Sequence, residues 1–265
     1  MTASRPLLET LDPATLAAVR YAVGLLVLAP FVLRGPPVAI ARRDLGPILV
    51  LGIGQFGVLI WLLNAGLVTV PARLGALLFS TFPLMTLLLT AATGRERLTG
   101  AALGGAALCL AGLAATLGLD GRAGWGAALV LASAAVGAVC AVGYRPYLRR
   151  YPTLAVGWRA MAAAGAALAP LALWEGGLAD LARLDTAGWA LVAFVGTASG
   201  AGYLLWLTAL RHAPASQATL LLGLSPLVAL ALDAAVLGQA PGPGVLLGLP
   251  LILGGLALAL RPARS

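Results

Sequence analysis

The sequence predicts an all-α polytopic membrane protein with nine transmembrane helices in two inverted-topology repeats, and three observations predict it. Apolar residues make up 61% of the 265-residue chain and charged residues only 10%, where a soluble domain carries about 25% charged residues. Mean hydropathy is +0.99. The charges are clustered, leaving residues 47–72, 74–94, 98–119, 123–144, 186–210 and 212–232 free of Asp, Glu, Lys and Arg. Each run is long enough to cross a hydrocarbon core as a helix of roughly 20 residues, and none alternates as a strand barrel would require. Finally, the second half repeats the first. Pro71 matches Pro214, Pro83 matches Pro226, Glu96 matches Gln239, Gly105 matches Gly248 and Gly112 matches Gly255 at one constant shift. Pro13 with Pro152 and Arg20 with Arg159 match at a slightly shorter shift, as a loop of different length would give.

In chain order the predicted spans are 14–33, 45–66, 72–93, 100–119, 125–144, 154–174, 187–210, 215–237 and 244–260. Pro13, Pro71, Pro152 and Pro214 sit at or just before helix starts, where the missing N–H is not needed. Gly242-Pro243-Gly244 supplies the turn between the last two spans. The first repeat, residues 1–120, holds four helices and lacks a counterpart of 125–144; the second, residues 121–265, holds five. An odd number of helices per copy inverts one copy relative to the other. A start lying further upstream, rather than a natural truncation, is the favoured explanation of the missing helix.

The pI near 10.7 does not indicate nucleic acid. The 17 basic residues are all Arg and are scattered among short loops. Arg34, Arg42 and Arg43, Arg95 and Arg97, Arg145, Arg149 and Arg150, Arg211, and Arg261 with Arg264 fall in alternate loops. The positive-inside rule places those loops, and the C-terminus, in the cytoplasm of a cell with this inner membrane. Cys109 and Cys140 fall within spans and do not report a redox compartment. Residues 1–12 are mixed and polar, without the apolar core of a cleavable signal.

The four-plus-five pattern, Asp12 to Arg20, the Phe82-Pro83-Leu84 and Ser225-Pro226-Leu227 kinks, and Gly94 to Gly100 followed by Gly105 and Gly112 resemble the drug/metabolite transporter superfamily, EamA-type. The likeness covers nearly the whole chain. It implies a ten-helix exporter of small metabolites with both termini cytoplasmic. This chain departs in lacking the first helix and in carrying Gln239 where the family usually has Glu.

Pro83 and Pro226 each lie roughly 18 Å along a helix from its starting proline. Each removes a helix hydrogen bond near the midplane and frees a carbonyl, as a static kink or as the wall and bending point of a cavity. Arg20, Arg159 and Asp233 are charges inside spans. The arginines either snorkel to the interface or serve function. Asp233, the carboxylate inside a span, offers a proton-coupling group and a partner for Arg20. Gln55, Trp61, Ser80, Thr81, Tyr203, Trp206 and Ser225 are the candidate substrate-cavity residues, because small-molecule sites are apolar pockets with a few oriented polar groups. Gln55, Trp61, Tyr203 and Trp206 lead, since they occupy corresponding helices of the two copies. Ala101 with Gly105, and Gly244 with Gly248, form matching small-residue faces for close helix contact.

The function predicted is secondary active export of a small metabolite or amino acid by alternating access. The alternatives are a non-transporting truncated fragment or partner subunit, or a sugar or nucleotide-sugar transporter of the same superfamily. The partners are the lipid bilayer and a small-molecule substrate, with no nucleic acid; a homodimer stays open. The sequence offers no catalytic group, metal site or cofactor motif: His212 stands alone in a loop, and the glycine-rich stretches lie in spans rather than between a strand and a helix.

Overall fold

The computed structural model describes residues 6–94, 99–120, 124–220 and 242–259, and every regular element among them is helical. After a short 3-10 turn at Pro6–Glu9 come α1 (Pro13–Arg34) and α2 (Arg42–Gly52). A π-helical segment, Ile53–Val58, joins α2 to α3 (Leu59–Thr69). Then follow α4 (Ala72–Phe79), α5 (Phe82–Ala92), α6 (Gly100–Asp120), α7 (Trp125–Arg150) and α8 (Thr153–Trp174). The short α9 (Gly177–Ala182), α10 (Thr186–His212), α11 (Ala215–Leu220) and α12 (Pro243–Ala259) complete the described elements.

Among the described residues, six runs are long and apolar enough to cross a membrane: Pro13–Arg34, Arg42–Thr69, Leu74–Ala92, Trp125–Arg150, Thr153–Trp174 and Thr186–His212. Gly100–Ala115 and Pro243–Ala259 are shorter apolar helices. The expected span 215–237 opens as α11, and the rest of it lies outside the described residues. This is a multi-pass helical membrane protein. Pro13 takes the first helical position of α1, and Pro71 and Pro152 cap α4 and α8.

The sequence-based boundaries need three corrections. The span 45–66 is not one regular helix. Leu59 N–H bonds to the Gly54 carbonyl five residues back, the wider loop of a π turn. A glycine beside this turn lets α8 approach: a methyl at Gly52 would strike the Ala160 backbone. The span 72–93 breaks at Ser80-Thr81, one turn before Pro83, because proline cannot donate to the carbonyl four residues earlier. Finally, Arg145, Arg149 and Arg150 are not in a loop but in the last turns of α7, while Arg42 and Arg211 lie in the first turn of α2 and the last turn of α10. A helix end at the interface carries such a charge as readily as a loop does.

The chain forms two compact units, with boundaries inside α3 and α7. One holds Ala65–Val142 and the described residues from Pro214 onward; the other holds the described residues up to Asn64 and Gly143–Ala213. Each therefore takes helices from both halves of the sequence.

In the first unit the main packing is α6 on α12. A methyl at Gly105 would meet the Gly255 carbonyl, and one at Gly112 would meet the Gly248 carbonyl. One number rises as the other falls, so these repeat-equivalent helices run antiparallel. Between the glycines, Cys109 Sγ–H donates to the Ile252 carbonyl at 3.4 Å, and the Gly105–Gly248 register makes Cys109 and Ile252 equivalents. Leu77, Leu84, Cys109, Val245, Ile252 and Leu256 form the buried cluster beside this crossing.

In the second unit α1 packs on both α8 and α10, and α2 packs on α8. Here Gly24 faces Met161 while Thr15 of α1 and Ala172 of α8 meet at Gly177, so α1 and α8, also repeat equivalents, run antiparallel as well. Gly24 and Gly200 face each other where α1 crosses α10, with Gly196 against Val23.

Candidate functional site

Within the second unit, α1, the π-helical segment and α10 bring three rings together. Tyr21 meets Phe56 edge-on, with centroids 5.7 Å apart at 72°. Phe56 meets Tyr203 edge-on at 4.6 Å and 83°, and Tyr21 lies 6.2 Å from Tyr203. Edge-to-face pairs of this kind contribute about 0.5–1.5 kcal/mol each beyond burial. Tyr21 and Phe56 are fully buried, and Gln55, beside Phe56, is 3% exposed.

The rings carry a polar complement. The Arg20 guanidinium lies within electrostatic reach of both Tyr21 and Tyr203, which also reach each other. The Tyr21 hydroxyl is within hydrogen-bonding reach of Tyr203 and Arg20, whereas the Gln55 Oε1 is buried without a hydrogen-bond partner among the described residues. A buried polar atom left in that state costs about 1–3 kcal/mol, and a native structure that keeps one asks for an explanation such as a ligand or ordered water. The π turn helps place this pair, because one extra residue per turn rotates Gln55 and Phe56 away from the α-helical positions. A donor-rich guanidinium, phenol hydroxyls and aromatic faces together suit a small molecule with a charged head and an apolar body, and Gln55, next to Phe56 in the chain, adds an unsatisfied acceptor in the same unit.

The predicted site residues separate into groups. Arg20 and Tyr203 come together, with Gln55 beside Phe56 in the same unit. Trp206 follows Tyr203 by one turn on α10 and is half-buried, as is Trp61 on α3. Ser80 and Thr81 belong to the first unit and are buried, and their hydroxyls donate to the Ala76 and Leu78 carbonyls at 2.9 and 2.8 Å. They fill the helix break at Pro83, where Phe79 and Phe82 pack at 5.5 Å.

Arg159 does not join the ring cluster: it donates to the Ala155 carbonyl at 3.1 Å and to the Val38 carbonyl at 2.8 Å, which ties the α1–α2 loop to α8. It borders a cavity of about 290 Å³ under that loop. Ser225, Pro226 and Asp233, and with Asp233 the Arg20 pairing, lie outside the described residues, as does Gln239.

Sequence reasoning missed Tyr21 and Phe56, although each directly follows a residue it singled out. It also missed a network at the start of α2. Asp44 Oδ2 accepts from Arg150 Nη1 at 2.9 Å and from the Tyr151 hydroxyl at 2.7 Å. Tyr151 Oη in turn accepts from Ala41 N–H at 3.2 Å. Among the described residues no group of three or more His, Cys, Asp or Glu could hold a metal ion.

The comparisons with known proteins point one way. Residues 1–118 and 124–261 each match the EamA-like transporter family. A probable terminal-alkyne amino-acid exporter of Streptantibioticus cattleyicolor is 32% identical over 257 residues, which is 95% of this chain and 83% of that protein. A protein of known crystal structure superposes with a TM-score of 0.71 at 24% identity, covering 94% of this chain and 89% of its own. That likeness is one of fold.

Proposed function

Because the chain belongs to the EamA-like transporter family, we propose that it exports a small metabolite, most simply an amino acid, by alternating access between two inverted repeats. The observation that carries this reading is the ring cluster of Tyr21, Phe56 and Tyr203, with Arg20 within electrostatic reach and an unsatisfied carbonyl on Gln55, the chain neighbour of Phe56. An amino acid has a carboxylate for the guanidinium, an ammonium for the amide carbonyl and an apolar body for the rings. The exporter relative supports the same substrate class.

The inverted arrangement, with repeats over 1–120 and 121–265 and nine spans in the chain, draws support from the antiparallel packing of two repeat-equivalent pairs, α6 with α12 and α1 with α8. Pro83, whose helix is broken at Ser80-Thr81, and Pro226 are the proposed bending points. Proton coupling through Asp233 and an inner-membrane location with a cytoplasmic C-terminus complete the proposal.

Flux from reconstituted vesicles, screened over amino acids and common metabolites with and without a pH gradient, tests it. The expected result is saturable efflux of one or more amino acids, stimulated by the gradient and reduced at least roughly tenfold by Gln55→Leu, which removes a group about 1.4 kcal/mol or more in importance. No flux with any solute would leave the chain a non-transporting subunit, and exchange of nucleotide sugars alone would move it to another substrate class.

A further inference from the structure

A second concave feature of the same unit lies apart from the ring cluster. Where α1 and α8 diverge, they leave a groove of about 380 Å³ lined by Thr15, Ala22 and Leu25 on one side and by Gly165, Ala169 and Leu173 on the other. Gly177 and Leu181 close one end. Leu173 is 58% exposed and the neighbouring Leu26 is 72% exposed, so apolar surface continues from the groove onto the faces of both spans. Small residues alone would make this a packing gap.

Two further observations give the groove a direction. Thr15 lines it and is 2% exposed, yet its Oγ1 has no hydrogen-bond partner among the described residues. Other threonines buried in these spans behave differently: Thr86, Thr90 and Thr219 all donate to carbonyls of their own helices. Thr15 also sits in the first turn of a 22-residue helix, which at 1.5 Å per residue is about 33 Å long. A helix of that length spans the hydrocarbon core, so its first turn lies at the core boundary, the level of acyl ester carbonyls. Beyond that boundary stand Asp12 and Glu175, close enough for the charge of one to act on the other. Two neighbouring carboxylates repel an anionic headgroup and attract an ammonium.

We infer that this groove binds one acyl chain of an aminophospholipid, with the Thr15 hydroxyl donating to the ester carbonyl and the headgroup ammonium lying against Asp12 and Glu175. Phosphatidylethanolamine has this chemistry, while phosphatidylglycerol has the chain and ester but the wrong head. The site is independent of the transport reading, and the test separates the two.

The full-length protein is purified in mild detergent, exposed to equal phosphatidylethanolamine and phosphatidylglycerol, and examined by native mass spectrometry for retained lipid. Wild type is expected to retain one phosphatidylethanolamine in preference to phosphatidylglycerol. Gly165→Leu fills the groove from a position where an added Cβ meets nothing within 4 Å; bound lipid should be lost while the thermal midpoint is kept. Thr15→Val should weaken retention roughly fivefold, the effect of one hydrogen bond. Asp12→Asn with Glu175→Gln should abolish the headgroup preference while a lipid remains bound. Retention unchanged in Gly165→Leu, or a wild-type preference for phosphatidylglycerol, overturns the inference. So does displacement of the lipid by a transported amino acid, which would make the groove part of the substrate path.

Discussion

Two pairs of repeat-equivalent helices, α6 with α12 and α1 with α8, solve the same packing problem in opposite ways. At the α6–α12 crossing, glycine meets backbone: Gly105 and Gly112 leave no room for a methyl against the carbonyls of Gly255 and Gly248. Contact this close is how helices associate where lipid gives no hydrophobic drive. The α1–α8 pair is held apart by side chains such as Met161, and opens into a groove. Around the first crossing the buried cluster is apolar, while the second unit holds Arg20, Tyr21, Gln55 and the Asp44 network. Thus one pair closes backbone on backbone, and the other leaves a groove beside it.

Glycine substitutions break this comparison most sharply. Gly105→Leu forces a large side chain into the Gly255 backbone, and overpacking of this kind costs about 1–3 kcal/mol or more. A large fall in thermal midpoint and loss of a monodisperse species in detergent are expected. The mirror experiment is Gly165→Ala on α8, in open space. There alanine should stabilise by up to about 1 kcal/mol through helix propensity, read as a higher midpoint. If both variants shift the midpoint in the same direction, the contrast between the seams is wrong.

Asp44→Asn sharpens the other half of the comparison. It keeps the shape but removes the charge that Arg150 and Tyr151 address, so the midpoint should fall by an intermediate amount. Paired with Arg150→Gln, the second change should add little, because the two residues share one interaction.

The smallest effect belongs to Glu175. Burial, and then the charge of Asp12, raise its pKa above the ordinary glutamate value. A raised folded-state pKa favours the protonated native form. Its stabilising contribution is present at acidic pH and lost as pH climbs through the folded value. Glu175→Gln should therefore give a slightly higher midpoint than wild type at neutral pH, with the difference vanishing on acidification. Because the group is exposed, solvent screening keeps the effect small.

The sequence showed some of this plainly. Spans were legible because a membrane demands long neutral runs, and the repeat was legible because prolines and glycines hold fixed places in helix packing. Gly105, Gly112, Gly248 and Gly255 were matched by register, and the structure sets them at one crossing. The site was only half legible. Arg20, Gln55 and Tyr203 stand out as polar or aromatic residues in oily spans, whereas Tyr21 and Phe56 read as ordinary core until the π turn brings them together. A π turn changes one hydrogen bond and leaves no compositional mark. The Asp44 network was hidden because Arg150 and Tyr151 are 106 and 107 residues away from Asp44, and charges near helix ends read as solvated. Arg159 shows the converse, since a charge inside a span proved to be tied to the backbone of a loop.

Whether the two copies lie upside down relative to each other is tested most directly by impermeant-thiol labelling. Pro36, just beyond the end of α1, and Glu175, just beyond the end of α8, are repeat equivalents in the register that matches Pro13 to Pro152. Single cysteines at these positions, in cells and in inverted vesicles, should label from opposite faces of the membrane, with the buried Cys109 and Cys140 unreactive in controls. Labelling of both from the same face would contradict the inverted arrangement and the export mechanism built on it.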